Sequence, residues 1–191
     1  MSSFLHLSSP TLARRVFLGG SGGVMLSAAA VALLAGKPAL AAQAKSAPTR
    51  DVQILNTALG AELEAIAAYQ LGAESKLLQG PVLDLALSFQ GHHKAHADLL
   101  ASTIGKLGGK PVAAKKQYDF PVAQLKTQAD VLRFAARLEQ GAVSAYLGAV
   151  PLFNDRALSK AAASILGDEA MHWAVLRQAL GEVAVPDAFV S

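Results

Sequence analysis

The sequence predicts an all-α fold, a four-helix bundle made of two antiparallel helical hairpins joined by a long crossover. Three observations predict it. The composition favours helix, with 52% hydrophobic and only 6% aromatic residues among 191 and few β-branched runs. Four long stretches repeat apolar residues at spacings of three and four, which keeps them on one helical face. The connections between those stretches run short, long, short, the pattern of two hairpins and one crossover.

The elements follow in order. The first helix is expected from about Thr49 to Leu78, ending at Gly80 and Pro81. Proline suits a first helical turn, so the second starts there and ends at "LGG", residues 107–109. The tight turn makes the two antiparallel neighbours. The stretch "KPVAAKKQYDFPVAQLK" has two prolines, four lysines and no clear period, and is too long for a hairpin turn. It reads as the crossover, its lysines solvated. Thr127 as N-cap, with Asp130 three residues on, opens a third helix reaching about Val150. The fourth is expected from near Asn154 to Gly181, followed by a short tail.

The bundle occupies residues 42–191, because residues 1–41 read as a twin-arginine export signal. Arg14 and Arg15 precede Phe17 and Leu18, a glycine-rich stretch follows, and residues 24–35 form an apolar core. Those twelve residues are too short to span a bilayer of about 30 Å as a helix at roughly 1.5 Å per residue. Small-residue cleavage sites follow Ala41 and Ala44, and retention as an uncleaved anchor is the alternative. The expected location is the periplasm or another exported compartment, reached through the twin-arginine translocase, with no membrane span after cleavage.

Cleavage also removes the basic excess. Arg14, Arg15 and Lys37 are the only charged side chains of the first 41 residues, so the remainder holds fourteen bases and fourteen acids. The sequence pI near 9.3 therefore gives no support for nucleic-acid or anionic-membrane binding. The chain has no cysteine, which excludes disulfides, thiolate metal sites and a cysteine nucleophile. No glycine-rich phosphate loop survives removal of the signal, and no hydrolase nucleophile stands at a helix end.

Each predicted helix carries ionisable groups at the middle of its apolar seam: Glu62 on the first, His93 and His96 on the second, Glu139 on the third, Glu169 and His172 on the fourth. Burying one unpaired carboxylate costs several kcal/mol, so six such groups call for one shared explanation. A pair of metal ions supplies it, because cations offset the repulsion between carboxylates and accept imidazole lone pairs at the same time. Glu169 and His172, three apart, project to one point of the seam. An internal repeat agrees: "ELEAIAAY" and "EQGAVSAY" each place a Glu seven residues before a Tyr, Tyr69 and Tyr146 respectively. Glu62 precedes His93 by 31 residues and Glu139 precedes Glu169 by 30, so the halves match.

Four segments, "LNTALGAELEAIAAY", "HHKAH", "LEQGAVSAY" and "EAMH", together resemble bacterial exported ferritin-like domain proteins, a group similar in turn to plant desiccation-related proteins. The resemblance covers about residues 50–181. It implies a ferritin-like bundle binding two irons or manganeses, with ferrous oxidation, peroxide reduction or oxygen activation as the associated chemistry. One segment departs from the family pattern: His93 stands where a Glu is expected, turning E-x-x-H into H-x-x-H. Three carboxylates and three imidazoles then replace four and two. Nitrogen-rich ligation weakens the grip on hard ions and also suits zinc, copper or nickel. A register using Gln90 and His93 is the alternative, although an amide is a poor bridging group.

The neighbouring residues get plainer readings. His92 is read as a solvated surface side chain, with an orienting or alternative ligand role as the other option. Glu64 is read as a surface charge, Trp173 as packing, and the two tyrosines as core aromatics whose hydroxyls bond the carboxylates. Two functions follow. One is an envelope metal oxidoreductase with an open position for O2 or peroxide. The other is a structural or stress-protective bundle whose site is closed, mononuclear or empty. Oligomeric state stays open, a homo-oligomer included.

Overall fold

A computed structural model describes residues 47–190; the expected export signal and both expected cleavage sites lie outside these residues. Four helices carry the fold: α1 (Ala47–Glu74), α2 (Pro81–Lys106), α3 (Gln128–Ala149) and α4 (Arg156–Ala179), with short 3-10 turns at Val122–Gln124 and Val150–Leu152. The described residues contain no strand, and the architecture is the expected all-α bundle. No described helix is long and apolar enough to cross a membrane.

The helix ends follow from local chemistry. α1 stops at Glu74, four residues short of the expected Leu78. The Ser75 hydroxyl donates to the Gly72 carbonyl at 2.6 Å and accepts the Leu77 N–H at 3.1 Å, and Lys76 turns to a φ of 61°. These competing bonds break the helical ladder, while Leu78 still buries its side chain against the core. Pro81 opens α2 as expected. Thr127 and Asp130 form a reciprocal capping box at the start of α3. Asp155 caps α4, accepting the Ala157 N–H at 2.7 Å. Asp51 of α1 is buried and accepts both the backbone and side-chain N–H groups of Asn154 at 3.1 Å, which ties the entry of α4 to the first hairpin.

α1 packs along α2 and α3 along α4, giving the two hairpins. Across the bundle Glu62 meets Tyr146 while Tyr69 meets Glu139, so α1 and α3 run antiparallel. The crossover must therefore return along the bundle, which explains its length. It is pinned where it leaves α2. Asn56 donates to the Lys110 carbonyl at 3.1 Å and accepts the Val112 N–H at 2.8 Å. Gly109 passes so close to α1 that a Cβ there would stand 2.6 Å from Val52 Cγ1. Farther along, Phe120 stacks on Tyr118 and meets the edge of Phe134.

Two apolar clusters fill the interior. One gathers Tyr69, Phe89, Leu132, Phe134 and Leu176; the other gathers Leu55, Leu59, Leu100, Ile104, Leu158 and Ile165. Between them lies a layer of buried polar groups.

Candidate metal centre

All six side chains singled out in the sequence converge in that layer. Glu62, Glu139, Glu169, His93 and His172 are at most 3% exposed, and the His96 side chain is 13% exposed. They form two overlapping tetrads, Glu62/His93/His96/Glu169 and His93/Glu139/Glu169/His172, the donor atoms of each lying within 4.8 Å of one another. His93 and Glu169 belong to both, so the pseudo-twofold pattern of the sequence becomes one shared centre.

His93 stands in the middle. Its Nδ1 lies 2.8 Å from Glu62 Oε2 and its Nε2 3.2 Å from Glu139 Oε1, so one ring joins the carboxylates of the two hairpins. Burial alone would pull the imidazole down. The hydrogen bonds with Glu139 and Glu62, and the charges of Glu139 and Glu169, outweigh burial and push it up to about 11. Burial likewise disfavours the charged forms of His96 and His172, yet the carboxylates of Glu169 and Glu62 beside His96, and of Glu139 and Glu169 beside His172, raise each to about 9. Burial pushes Glu139 upward, but the surrounding histidines hold it below the usual carboxylate range.

The tyrosines cross between the halves. A Tyr seven residues beyond its own Glu lies roughly 10 Å farther along the helix and cannot reach it. Tyr69 instead donates to Glu139, and Tyr146 donates to Glu62 at 2.6 Å. Burial and the adjacent carboxylate raise both phenols well above their usual range. They stay donors, and each directs the carboxylate of the opposite helix.

Five buried donor atoms remain without a hydrogen bond: His96 Nδ1, His172 Nδ1, Glu139 Oε2 and both oxygens of Glu169. His96 Nδ1 lies 3.1 Å from Glu169 Oε1, and His172 Nδ1 lies 3.4 Å from Glu169 Oε2, but neither pair has hydrogen-bond alignment. Buried polar groups are ordinarily satisfied, and these atoms face one another. The donor set therefore fits cations, with Glu169 offering one oxygen to each tetrad.

The sequence reading missed Asp168. Its Oδ2 lies 3.2 Å from His96 Nε2 and 3.3 Å from His172 Nε2, on the outer side of both rings. The charge of a carboxylate there favours a proton on each Nε2, and a ring protonated at Nε2 turns its Nδ1 lone pair inward, the orienting arrangement usual for metal-bound histidine. Its place beside Glu169 was the only signal available. His92 is also more than a solvated side chain: its Nδ1 lies 2.9 Å from His172 Nε2 and 3.3 Å from Asp168 Oδ2. Glu64 is half-buried rather than a surface charge, and burial raises its pKa. Gln90 is spent elsewhere, donating to the Ile66 carbonyl and to Gln70, which removes the alternative register. Trp173 packs against the core and carries the Arg177 guanidinium 5.6 Å from its ring centre.

On the opposite side, α1 and α3 leave a cavity of about 60 Å³ walled by alanines, among them Ala58, Ala61, Ala65, Ala142 and Ala145. Glu62, His93, Glu139 and Tyr146 also line it. A water needs about 10–15 Å³ by this measure, so the space admits several small molecules.

Fold and centre together define a ferritin-like bundle with a carboxylate–histidine core suited to metal. The chain belongs to the ferritin-like domain family, whose model matches residues 50–182. Its fold is similar to that of a conserved hypothetical protein from Mycobacterium tuberculosis, at 24% identity over 75% of this chain and 99% of that one, with a TM-score of 0.65. It is also similar to ferritin-like, diiron-carboxylate proteins from Bacillus anthracis strain Ames, at 22% identity over 71% of this chain and 99% of that one, with a TM-score of 0.61. Comparison with curated protein sequences gave no match.

Proposed function

We propose that the protein is an exported metal-binding protein of the cell envelope. It holds two ions through Glu62, His93, His96, Glu139, Glu169 and His172, and acts in iron oxidation or in defence against peroxide and other oxidative stress. The observation that carries this reading is the group of five buried, unpartnered donor atoms that face one another at the meeting of four helices. The diiron-carboxylate description of the Bacillus anthracis relatives supports iron or manganese. The three imidazoles also accommodate zinc or copper.

Bound ions of this kind supply Lewis acidity and, for iron, manganese or copper, electron transfer. The chain's own residues have separable tasks. Glu169 offers two free oxygens, Glu139 offers Oε2 while Tyr69 and His93 engage Oε1, and Tyr146 fixes Glu62. The alanine-walled cavity gives an uncharged reactant such as O2 or peroxide a route to the Glu62–His93–Glu139 side, away from the Asp168 side. Twin-arginine export carries folded proteins, which fits a cofactor acquired before translocation.

One observation favours a second reading. A doubly hydrogen-bonded His93 is itself a cation between two carboxylates, so the bundle can hold its charges without metal, as a structural or stress-protective protein. Elemental analysis of protein purified without chelator from iron-supplemented cells, beside Glu139→Ala and His172→Ala, decides between them. About two ions per chain, lost in both variants, is the expected result. No metal, or a single ion indifferent to the variants, leaves the charge-balanced bundle.

A further inference from the structure

We propose that His92, Asp168 and the outer nitrogen of His172 form a third site for a divalent transition-metal ion, a way-station that hands the ion to the inner centre. The inference rests on the reading of the inner centre as a metal site. His92 Nδ1, Asp168 Oδ2 and His172 Nε2 lie within 4.8 Å of one another. The separate distances are 2.9 Å between the two nitrogens and 3.3 Å from each to the carboxylate oxygen. Side-chain exposure falls from 47% at His92 through 24% at Asp168 to 2% at His172, so the three donors form a path from solvent to the core. Two imidazoles and one carboxylate suit iron, cobalt or zinc and supply too few oxygens for calcium.

His172 links the two sites through opposite edges of one ring. Nε2 faces His92 and Asp168, whereas Nδ1 faces Glu139 Oε2 at 3.6 Å and Glu169 Oε2 at 3.4 Å. A neutral imidazole has one lone pair and one N–H, so His172 serves one ion at a time. With the ion outside, Nε2 binds it and the proton sits on Nδ1, toward the inner carboxylates. With the ion inside, Nδ1 binds it and the proton sits on Nε2, facing His92 Nδ1 and the Asp168 carboxylate. The outer site therefore fills first and empties on transfer, a step in loading rather than a third storage position.

His92 is the clean probe because it touches none of the inner donors except through His172. Its ring also stacks beside His172, with centroids 5.1 Å apart, and lies 6.2 Å from Phe89. His92→Phe keeps a ring there and removes the nitrogens; His92→Ala removes both. Chelator-stripped full-length protein is mixed with limiting Co(II), the visible absorption is followed by stopped flow, and bound cobalt is counted after desalting. Both variants are expected to reach the wild-type count but to load about tenfold more slowly. Loading of His92→Phe at the wild-type rate overturns the proposal, since ring packing would then be the role of His92. Loss of inner cobalt in His92→Phe overturns it too, by making His92 part of the inner centre. If wild-type protein takes up no cobalt, the reading of the inner centre falls as well.

Discussion

Glu169 is fully buried with neither oxygen hydrogen-bonded, and that state carries a penalty unless a cation shares it. The residues around it prepare the ring and carboxylate orientations before any ion arrives. Asp168→Asn keeps the shape beside His96 and His172 but removes the charge that favours a proton on each Nε2. Affinity for Zn(II), measured by competition with a chromophoric chelator, is expected to fall about 10- to 100-fold, with the fold intact by circular dichroism. The tyrosines act differently. Tyr69→Phe deletes the hydroxyl that donates to Glu139 and leaves a buried carboxylate short of a partner. Urea denaturation of the metal-free protein is expected to show a loss of about 1–3 kcal/mol, smaller once metal is bound.

At the scale of elements, the centre depends on helices that start in the right register. The capping box of Thr127 and Asp130 fixes the first turn of α3, three turns before Glu139. Thr127→Ala is expected to lower Tm by roughly 2–4 °C without changing metal stoichiometry. The crossover is held at its start by Asn56 and by the close pass of Gly109 over Val52. Gly109→Ala forces backbone and Val52 apart, and a thermal melt is expected to show a larger loss than Thr127→Ala, because overpacking moves backbone as well as side chain. The Tyr69–Glu139 and Tyr146–Glu62 bonds lie across the α1–α3 seam, beside the alanine-walled cavity. There the polar clamps do part of the work that close apolar packing does within the hairpins.

For the whole molecule, three carboxylates face three imidazoles in one buried layer, so on the proposed reading protons and metal ions compete for the same atoms. His96 and His172 titrate near 9 in the folded protein against an ordinary value near 6.5. Raised folded values mean that their contribution to stability is complete below about pH 6.5 and disappears as pH rises through about 9. Metal-free protein is therefore expected to lose Tm between pH 6.5 and about 9, whereas affinity for Zn(II) rises over the same interval as binding displaces protons. Scanning calorimetry with and without chelator, paired with titrations at pH 6.5 and 8.5, checks both slopes. A flat metal-free profile would separate the histidines from the stability of the bundle.

The sequence by itself determined the helices, their order and the six ionisable side chains that meet at the centre, because a 3.6-residue period reports which side chains share a face and ionisable groups stand out on an apolar seam. It also carried the capping box at Thr127 and the pseudo-symmetry of the two Glu-to-Tyr spacings. The end of α1 at Glu74 escaped it, since side-chain bonds from Ser75 compete with the helix where no glycine or proline marks the stop. Distances between helices belong to the tertiary structure alone. Only packing could decide that each tyrosine clamps the Glu of the opposite half, that His93 joins Glu62 to Glu139, and that Gln90 turns away. His92 read as a surface residue and Asp168 drew no notice, because periodicity records the direction of a side chain along its own helix. What the neighbouring helix brings to meet it is set by how α2 and α4 pack together.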